Sequence, residues 1–335
     1  MTGAAFIAVP AQFLSMDKIG IVTSGGDAPG MNAAIRAVVR LASGRGMEVI
    51  GYRRGWDGVV RGHSLALTPR SVSGIVQAGG TVLHTCRCPE FRLQEAQRAA
   101  ARQLEKDGVG GLAVIGGDGS FRAALALGKY ADVRLVGIPA SIDNDVFGTD
   151  ETIGFDTAVN TAVADIDKIR DTATSLDRIF VVEVMGRSRG FLAAMVGLTS
   201  GAEIILVPEE PFDREAIYRA MKENAARGKR SGIIVAAEGI GDTARLARDI
   251  EASTGLDTRL SIVGYAQRGG SPSARSRYLA SQFGGMAVRL LAESRDDVVV
   301  GLRDNQVTST RLDLSCGGVK PLDISQLRLA EELAK

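Results

Sequence analysis

Two short polar segments in the middle of the chain carry residues that could do chemistry together. The glycine-rich segment GGDGS (116–120) follows a short apolar run, and the acidic segment SIDND (141–145) follows the next apolar run. The pattern predicts a strand before each segment and a helix over residues 121–130 between them. Because loops at the carboxyl ends of neighbouring parallel strands meet at one edge of a sheet, we expect the two segments to face each other.

The residue types in these segments indicate phosphoryl transfer. Glycines let backbone N–H groups approach a phosphate chain, and the N-terminus of the following helix adds positive potential. The chain has no GxxxxGK[ST] motif, so charge neutralisation must come from arginines or from a metal ion held by Asp118. Of Asp143 and Asp145, one could hold Mg²⁺ and the other could accept a proton from a substrate alcohol. The alternative is two ordinary turns, in which these residue types are common.

The order of the elements predicts an α/β fold. Strand-like runs alternate with helical patterns through the first half of the chain, and the same order returns after residue 155. This alternation is typical of parallel sheets with helices on both faces. We therefore expect two Rossmann-like lobes, each a mostly parallel sheet flanked by helices, with the active site in the cleft between them.

Several local predictions concern the residues before the glycine-rich segment. A helix is predicted for residues 71–78, a short strand for 81–83 and a long amphipathic helix for 93–106. Trp56 is placed in a loop, where packing is favoured over stacking on a base. An earlier glycine-rich turn, which contains Gly26, also suits a phosphate.

Five arginines are predicted to lie near strand ends rather than on exposed helix faces: Arg87, Arg178, Arg187, Arg259 and Arg268. Arginine binds phosphate through planar, bidentate contacts. Solvation at the surface is the usual alternative for any single arginine. The position of all five on the presumed cleft side favours a small anionic, phosphorylated substrate.

The composition excludes several classes of protein. The chain has 335 residues, enough for two domains, and its net charge of +1 argues against a nucleic-acid-binding surface. No apolar run has the length of a transmembrane helix, so no membrane partner is expected. Three cysteines suggest a reducing compartment, hence the cytoplasm. His84, Cys86 and Cys88 fall short of four metal ligands, so we interpret the two thiols as packed or idle.

Six motifs occur in one order along the chain: TSGGDAPGMNAAIR, CRCPEFR, IGGDGS, SIDND, VVEVMGR and QRGGSP. With them the chain, from about Lys18 to its C-terminus, resembles the phosphofructokinase family. The resemblance implies a glycolytic kinase that phosphorylates the 1-hydroxyl of fructose 6-phosphate to give fructose 1,6-bisphosphate. The donor would be ATP or, in some members, pyrophosphate. The resemblance also implies Mg²⁺ and a homotetramer, or a dimer, whose subunits share sites.

The resemblance assigns roles to the central residues. Asp143 resembles the general base that takes the proton of the sugar hydroxyl. Asp118 resembles the Mg²⁺ carboxylate, and Asp145 is a second candidate for the metal. Arg187 resembles the arginine beside the transferring phosphoryl group, and Ser141 keeps the hydroxyl that threonine commonly supplies.

The other positions implied by the resemblance fall into three groups. The nucleotide-binding group, beside Asp118, is Gly26, Arg87, Cys88, Gly117, Gly119 and Ser120. The sugar-phosphate group, beside Ser141, Asp143 and Arg187, is Arg178, Met185, Gly186, Glu238, Arg259, Tyr265 and Arg268. In the family, the arginines that match Arg178 and Arg259 usually come from a neighbouring subunit. An effector site between subunits would contain Arg36, Arg40, Arg170, Glu203, Arg227 and Lys229, unless residues 227–230 are only a solvated basic turn.

The family pattern also implies domain boundaries. Residues 16–154 plus about 267–317 would form a nucleotide-binding lobe, and residues 155–266 plus about 318–335 a sugar-phosphate-binding lobe. Residues 1–15 are predicted to be a disordered extension, or translation begins at Met16.

Three residues bear on the donor. Gly119 favours ATP, because pyrophosphate users typically carry an aspartate whose charge would meet the nucleotide α-phosphate. Ala140 matches neither the glycine of typical ATP users nor the lysine of pyrophosphate users. Tyr265 replaces a histidine common in well-studied bacterial ATP enzymes, and a tyrosine here is frequent among the pyrophosphate-dependent and mixed groups of the family.

Three alternatives stay open at this point. The first is a pyrophosphate-dependent phosphofructokinase. The second is an inactive, metabolite-binding regulatory subunit, against which the presence of Asp118, Asp143 and Arg187 argues. The third is an NAD kinase-like enzyme, which shares the GGDG[ST] turn but lacks SIDND and QRGGSP. Ser276 also replaces a family aspartate, without a consequence that the sequence reveals.

Overall fold

Aliphatic and β-branched residues dominate the short runs that form the strands of this protein. A computed structural model describes residues 16–293 and 297–334, so the predicted extension at residues 1–15 lies outside the described residues. The strands are β1 (Lys18–Ser24), β2 (Glu48–Tyr52), β3 (Ser64–Leu67), β4 (Gly111–Gly116), β5 (Arg134–Ser141), β6 (Ile153–Gly154), β7 (Ile179–Val184), β8 (Ile204–Leu206), β9 (Gly232–Ala237), β10 (Thr258–Ile262), β11 (Val298–Arg303) and β12 (Gln306–Arg311).

Most helices present one apolar face to a sheet, as their three- and four-residue periodicity predicts. They are α1 (Met31–Ser43), α2 (Gly55–Arg61), α3 (Gln94–Lys106), α4 (Asp118–Leu127), α5 (Phe155–Ser175), α6 (Phe191–Ser200), α7 (Arg214–Ala226), α8 (Thr243–Thr254), α9 (Ala274–Ala292), α10 (Leu312–Gly317) and α11 (Ser325–Leu333), with single 3-10 turns at Pro89–Arg92, Glu238–Ile240 and Gly264–Arg268. Across residues 16–293 and 297–334, none of these helices is long and apolar enough to cross a membrane.

The first sheet has the strand order β12-β11-β5-β4-β1-β2-β3, and β6 pairs with β5 outside this row. Its central strands are parallel, and β3 and β12 are antiparallel at the two edges. β4 is buried along its whole length, as is usual where helices cover both faces of a parallel sheet. The register places Ser24, Gly116 and Pro139 in one row, so the loops after β1, β4 and β5 open side by side.

The second sheet, β10-β7-β9-β8, is parallel throughout. Its strands come from residues 179–262, whereas β11 and β12 return to the first sheet. α11, near the C-terminus, packs against α6 and β8 of the second sheet. The predicted fold class, two mostly parallel sheets flanked by helices, is confirmed.

The chain passes between the two sheets through α5 and returns through the 3-10 turn Gly264–Arg268 and α9. A buried hydroxyl cluster joins the first turns of these two helices. Thr157 Oγ1 lies 2.8 Å from Ser276 Oγ and accepts from Ser273 N at 3.0 Å. Ser273 Oγ also donates to Asp156 Oδ2. The serine at position 276 therefore takes part in the junction that ties the two crossings together.

Two predicted elements before the glycine-rich segment are wrong. Residues 71–78 form turns rather than a helix, and residues 81–83 are not a strand. The buried Asn32 side chain donates to Ala78 O at 3.1 Å and accepts from Val82 N at 2.7 Å. The side chain of Asn32 thus binds the carbonyl group of Ala78 and the amide of Val82, which a helix or a strand would have paired with other backbone groups.

Several helices are present that the sequence analysis does not predict. α6 is apolar on most sides because it is buried, so it lacks the 3.6-residue period of a surface helix. α8 begins after Asp242, whose carboxylate accepts from Arg245 N at 2.7 Å, and this capping signal is legible in the sequence. α2 contains Trp56, so the predicted loop position of this residue is wrong.

The hydroxyl cluster gives a prediction about stability. Thr157→Val keeps the shape of the side chain but leaves the buried Ser276 hydroxyl without its 2.8 Å partner. We expect a loss of about 1–2 kcal/mol in the free energy of unfolding. Chemical denaturation followed by circular dichroism measures this loss. Thr161→Val is the matched control, because the Thr161 hydroxyl bonds only within its own helix, and an equal loss in both variants would contradict a role for the junction.

Candidate active site

A cavity of about 840 Å³ opens at the carboxyl ends of β1, β4 and β5 and extends to the turn after β7. A volume of this size suits a small organic ligand. The predicted site residues that line it are Gly26, Arg87, Cys88, Gly117, Asp118, Gly119, Ser120, Ser141, Asp143, Asp145, Arg187 and Arg268. The glycine-rich turn, the acidic loop and three of the five arginines therefore meet at one place.

The glycine-rich turn is the N-terminus of α4, which begins at Asp118 rather than at the predicted Phe121. Gly116 has no room for a side chain, because a Cβ atom there would lie 2.5 Å from Ser24 O. The Ser120 hydroxyl is buried and donates to Ser24 O at 2.9 Å, so this side chain joins α4 to β1. The backbone N–H groups at the N-terminus of α4 can bind an anion at this turn.

Asp118 has a cationic partner on its own helix. Arg122 Nε lies 2.7 Å from Asp118 Oδ2, one helical turn away, and both residues line the cavity. The sequence analysis does not single out Arg122, although its i,i+4 spacing from an acid is a recognisable signal. Both side chains are partly exposed, so the pair contributes only about 0.3–0.5 kcal/mol. A metal ion or a phosphate can therefore displace it.

Asp143 lies at the buried end of the cavity with 4% of its surface exposed. Its Oδ2 atom is 3.3 Å from Arg187 Nε, and its Oδ1 atom has no hydrogen-bond partner among the described residues. Burial, followed by repulsion from Asp145, raises the pKa of Asp143 to about 6 against the opposing charges of Arg187 and Arg268. A buried acceptor oxygen with a pKa near neutrality suits a general base.

The loop around the two carboxylates is fixed by Asn144, which the sequence analysis does not single out. Its backbone is left-handed (φ 52°), a conformation that asparagine tolerates. Its side chain accepts from Thr152 N at 3.0 Å and donates to Asp150 O at 3.2 Å. The Ser141 hydroxyl accepts from Asp143 N at 3.2 Å. Burial also raises the pKa of Asp145, so the loop holds two carboxyl groups that are both partly desolvated.

The turn after β7 presents Arg187 to the cavity. Gly186 (φ 137°) and Arg187 (φ 53°) both have left-handed backbones, and a non-glycine residue in this region is strained. Glu238 stabilises the turn, because its Oε1 atom accepts from Gly186 N at 3.2 Å and from Arg187 N at 2.6 Å. Met185 is partly buried and packs against the hydrophobic core. In this structure Glu238 therefore holds Arg187 in place.

Two of the five arginines do not lie on the cavity side. Arg178 precedes β7 and Arg259 lies in the first half of β10, so both are at the amino edge of the second sheet. Both pair with Asp257, at 2.6 and 2.7 Å. The expectation that all five arginines face one cleft is wrong within a single chain, since a position beside a strand does not reveal which end it occupies. Tyr265 is 78% exposed and contacts Arg268, 5.5 Å from its ring centre, without lining the cavity.

Part of the predicted effector group is assembled elsewhere on the second sheet. Glu203 Oε1 lies 3.6 Å from Arg170 Nη1 and 3.2 Å from Lys229 Nζ. Arg227 directly follows α7 and lines the same surface pocket as Glu203. Arg36 and Arg40 lie on α1, which packs against the first sheet and α9. The structure thus brings three of the six residues into direct contact.

Two stacked aromatic residues, Trp56 and Phe91, also line the cavity. The sequence analysis assigns neither of them to the site. Trp56 of α2 stacks on Phe91 with ring centres 4.7 Å apart. The prediction that Trp56 packs is correct, since the residue is buried, yet its edge still contributes to the cavity wall. Contact between rings 35 positions apart depends on how α2 and the 3-10 turn Pro89–Arg92 pack together, which local sequence does not show.

The cysteines beside the cavity are free thiols. Cys86 Sγ donates to Arg54 O at 3.0 Å, and burial raises the pKa of the Cys88 thiol. Among the described residues, no group of three or more histidines, cysteines or acids has the arrangement of a metal site.

Comparison with known proteins identifies the family. The phosphofructokinase family model matches residues 18–291. The ATP-dependent 6-phosphofructokinase of Lysinibacillus sphaericus is 50% identical over 319 residues, which are 95% of this chain and 100% of the relative. The ATP-dependent 6-phosphofructokinase 1 of Thermus thermophilus is 49% identical over 321 residues, again 95% of this chain and all of the relative. The chain belongs to the phosphofructokinase family.

Solved structures of phosphofructokinases share the fold. The T-state enzyme of Pichia pastoris superposes with a TM-score of 0.86 at 35% identity, over 92% of this chain and 36% of the longer yeast chain. A pyrophosphate-dependent phosphofructokinase from Marinobacter aquaeolei superposes with a TM-score of 0.81 at 22% identity, over 92% of this chain and 86% of that one. The second likeness concerns the fold alone.

The buried carboxylate predicts an unusual dependence of stability on pH. The pKa of Asp143 is about 6 in the folded state against 3.8 for an unperturbed aspartate. The folded state therefore binds a proton more tightly than the unfolded state. The free energy of unfolding falls as the pH rises from about 4 to about 6, and the destabilisation by the ionised Asp143 is fully present above that pH. We expect Asp143→Asn to raise the melting temperature by a few degrees at pH 8 and much less at pH 4.

Differential scanning fluorimetry at the two pH values measures the effect. Asp167→Asn, at an exposed position of α5, is the control and should change the melting temperature little at either pH. A destabilised Asp143→Asn variant at pH 8 would contradict the burial argument.

Proposed function

We propose that this chain is an ATP-dependent 6-phosphofructokinase. It transfers the γ-phosphoryl group of ATP to the 1-hydroxyl of fructose 6-phosphate and gives fructose 1,6-bisphosphate. The observation that carries the proposal is the buried Oδ1 atom of Asp143, which has no hydrogen-bond partner among the described residues and lies in the same cavity as the glycine-rich turn and Arg187. The names of relatives that match at about half identity over nearly the whole chain support the same activity.

Asp143 acts as the general base. With a pKa of about 6 it is mostly ionised at neutral pH, so it can accept the proton of the sugar hydroxyl as the oxygen attacks phosphorus. Its free Oδ1 atom is the acceptor, since Oδ2 already faces Arg187. The Ser141 hydroxyl holds the amide of Asp143 and so orients the base.

Arg187 has two partners during the reaction. In the structure it lies beside Asp143, and its side chain is 57% exposed toward the cavity. It can therefore also contact the transferring phosphoryl group, whose equatorial oxygens carry the charge of the transition state. Arg268 lines the same cavity and adds a second cation.

The acidic residues fit a magnesium ion. Mg²⁺ prefers carboxylate oxygens, keeps several waters and commonly binds one or two protein carboxylates together with substrate phosphates. Asp118 and Asp145 both line the cavity and offer this donor set. When bound, the ion would neutralise the phosphate oxygens of the donor. The weak pair with Arg122 leaves Asp118 open to such exchange.

ATP is the favoured donor. The Gly26, Arg87 and Cys88 positions and the turn 117–120 line one side of the cavity, next to the stacked aromatic pair, and so suit a phosphate chain joined to a flat base. A Cβ atom at Gly119 would meet no atom within 4 Å, so a side chain can begin there, at the place where a pyrophosphate user carries a carboxylate. The departures at Ala140 and Tyr265 keep pyrophosphate as the second candidate.

The sugar-phosphate site would be completed by a second subunit. Arg178 and Arg259 lie at the amino edge of the second sheet, away from the cavity of their own chain. Both could act in a neighbouring copy, while Met185, Gly186, Glu238, Tyr265 and Arg268 serve their own subunit. This arrangement supports a homotetramer or a dimer.

The two lobes would bind different substrates. Residues 16–154 and about 267–317 would bind the nucleotide, and residues 155–266 and about 318–335 the sugar phosphate; the return of β11 and β12 to the first sheet supports this division. The contacts among Arg170, Glu203 and Lys229 support an effector site that Arg227, Arg36 and Arg40 would complete. The free thiols agree with a cytoplasmic location.

The first kinetic prediction concerns the base. Asp143→Asn removes the proton acceptor and keeps the shape of the side chain, so we expect kcat to fall by roughly 10²- to 10⁴-fold. The affinity for fructose 6-phosphate should change far less, because the arginines remain. Steady-state kinetics with ATP and Mg²⁺, together with calorimetric binding of the sugar phosphate, measure both quantities. Near-normal turnover would remove Asp143 from the mechanism.

The second kinetic prediction concerns the donor. The Cβ atom of Gly119→Asp has no atom within 4 Å, and the variant places a negative charge beside the phosphate chain, so we expect the KM for ATP to rise by about tenfold or more. Use of pyrophosphate should suffer less. Gly119→Ala is the control, since it adds bulk without charge. An unchanged KM for ATP in the aspartate variant would mean that this turn does not face the α-phosphate.

A further inference from the structure

We propose that Lys320 and Arg189 form a bridge between the acidic loop of the first sheet and the Arg187 turn of the second. Through this bridge both act as positioning residues that hold Arg187 against Asp143 during phosphoryl transfer. The inference rests on the proposed function. Neither residue lines the cavity, and the sequence motifs do not mark either of them.

The side chain of Lys320 makes the first half of the bridge. Its Nζ atom donates to Asp150 O at 2.8 Å. The same carbonyl oxygen accepts from Asn144 Nδ2 at 3.2 Å, and Asn144 lies between Asp143 and Asp145. Lys320 therefore binds the carbonyl group that anchors the acidic loop.

The backbone of Lys320 makes the second half. Its carbonyl oxygen accepts a hydrogen bond from Arg189 Nη2. Arg189 in turn donates its backbone N–H to Gly186 O at 2.9 Å, which closes the turn that contains Arg187. Arg189 Nε lies 3.2 Å from Glu209 Oε1, so the guanidinium is fixed on a second side as well. One residue of the C-terminal segment thus holds both catalytic segments.

The side chain of Phe191 contacts both residues of the bridge. Lys320 Nζ lies 5.0 Å and Arg189 Cζ 5.2 Å from the centre of this ring, so both cations contact one buried aromatic side chain. Burial lowers the pKa of Lys320 to about 8, opposed by Asp150, Asp145 and Glu151, so the ammonium group is still mostly charged at neutral pH. The ring contacts act against the repulsion from Arg189, which also lowers the pKa of Lys320.

The bridge matters because the Arg187 turn and Asp143 belong to different sheets. Glu238 fixes the turn only relative to the second sheet, whereas Lys320 links it to the loop of the first. A displacement of about 1 Å between reacting groups can cost up to 100-fold in rate. Loss of the bridge should therefore lower kcat more than it weakens substrate binding.

The test compares Lys320→Met, Lys320→Arg and the wild type. Methionine keeps the apolar stem on Phe191 but removes the donor to Asp150 O, and we expect kcat to fall about tenfold while both KM values stay within about threefold. Arginine retains a donor and should restore kcat to within about threefold of the wild type. Lys168→Met, at an exposed lysine of α5, is the matched control and should leave kcat unchanged.

Hydrogen exchange gives a readout that does not depend on turnover. Peptides that cover residues 144–152 and 185–190 should exchange faster in Lys320→Met, and the peptide of β4 should not. If Lys320→Met does not fold, Arg189→Lys takes its place, because lysine can pair with Glu209 but cannot reach the Lys320 carbonyl group at the same time.

Unchanged kcat in a folded Lys320→Met or Arg189→Lys variant would overturn the bridge, as would a lower melting temperature with normal kcat and normal exchange. Failure of Lys320→Arg to restore activity would also overturn it. Failure of the wild type to phosphorylate fructose 6-phosphate would instead overturn the proposed function, and the exchange measurement would still decide whether the bridge exists.

Discussion

A buried carboxylate, Asp143, that lies beside a cation from the other sheet sets the main constraint on this structure. Burial raises the pKa of Asp143 to about 6, and a further rise would keep the group protonated at neutral pH. Arg187, 3.3 Å away, is the cation that opposes this rise most. Because an uncompensated buried charge costs several kcal/mol, the fold must bring this arginine from the second sheet to a loop of the first.

The rest of the molecule meets this requirement by fixing the two sheets against each other. The hydroxyl cluster of Thr157, Ser273 and Ser276 joins the two helices through which the chain crosses. Asn144 fixes the acidic loop, and Glu238 fixes the Arg187 turn. The hydroxyl cluster and the Glu238 contacts join residues that are distant in sequence, whereas Asn144 closes its own loop onto residues six and eight positions further along. The geometry of the candidate site thus depends on these contacts as much as on the side chains that line the cavity.

Much of the fold and the centre of the site could be predicted because their signals are local. An apolar run that ends at GGDGS or SIDND predicts a strand followed by a loop. In a parallel sheet the loops at the carboxyl ends of neighbouring strands lie close together. The signals failed where long-range contacts override propensity. Asn32 binds the backbone of residues 78 and 82, where a helix and a strand were predicted and turns are present. Arg178 and Arg259 were expected at the cavity, but their position beside a strand does not state which end of it they occupy.

The sequence by itself determined the alternation of strands and helices and the loops GGDGS and SIDND that follow two strands, because propensity and period act over a few residues. The prediction that Asp118, Asp143 and Arg187 share one site came from the resemblance of their motifs to a known family. Only the tertiary structure decided the pairing of Asp143 with Arg187, the raised pKa of that carboxyl group and the stacking of Trp56 on Phe91. It also decided that Glu238 holds a turn. These properties depend on burial and on distances between residues far apart in the chain, and a one-dimensional pattern does not contain them.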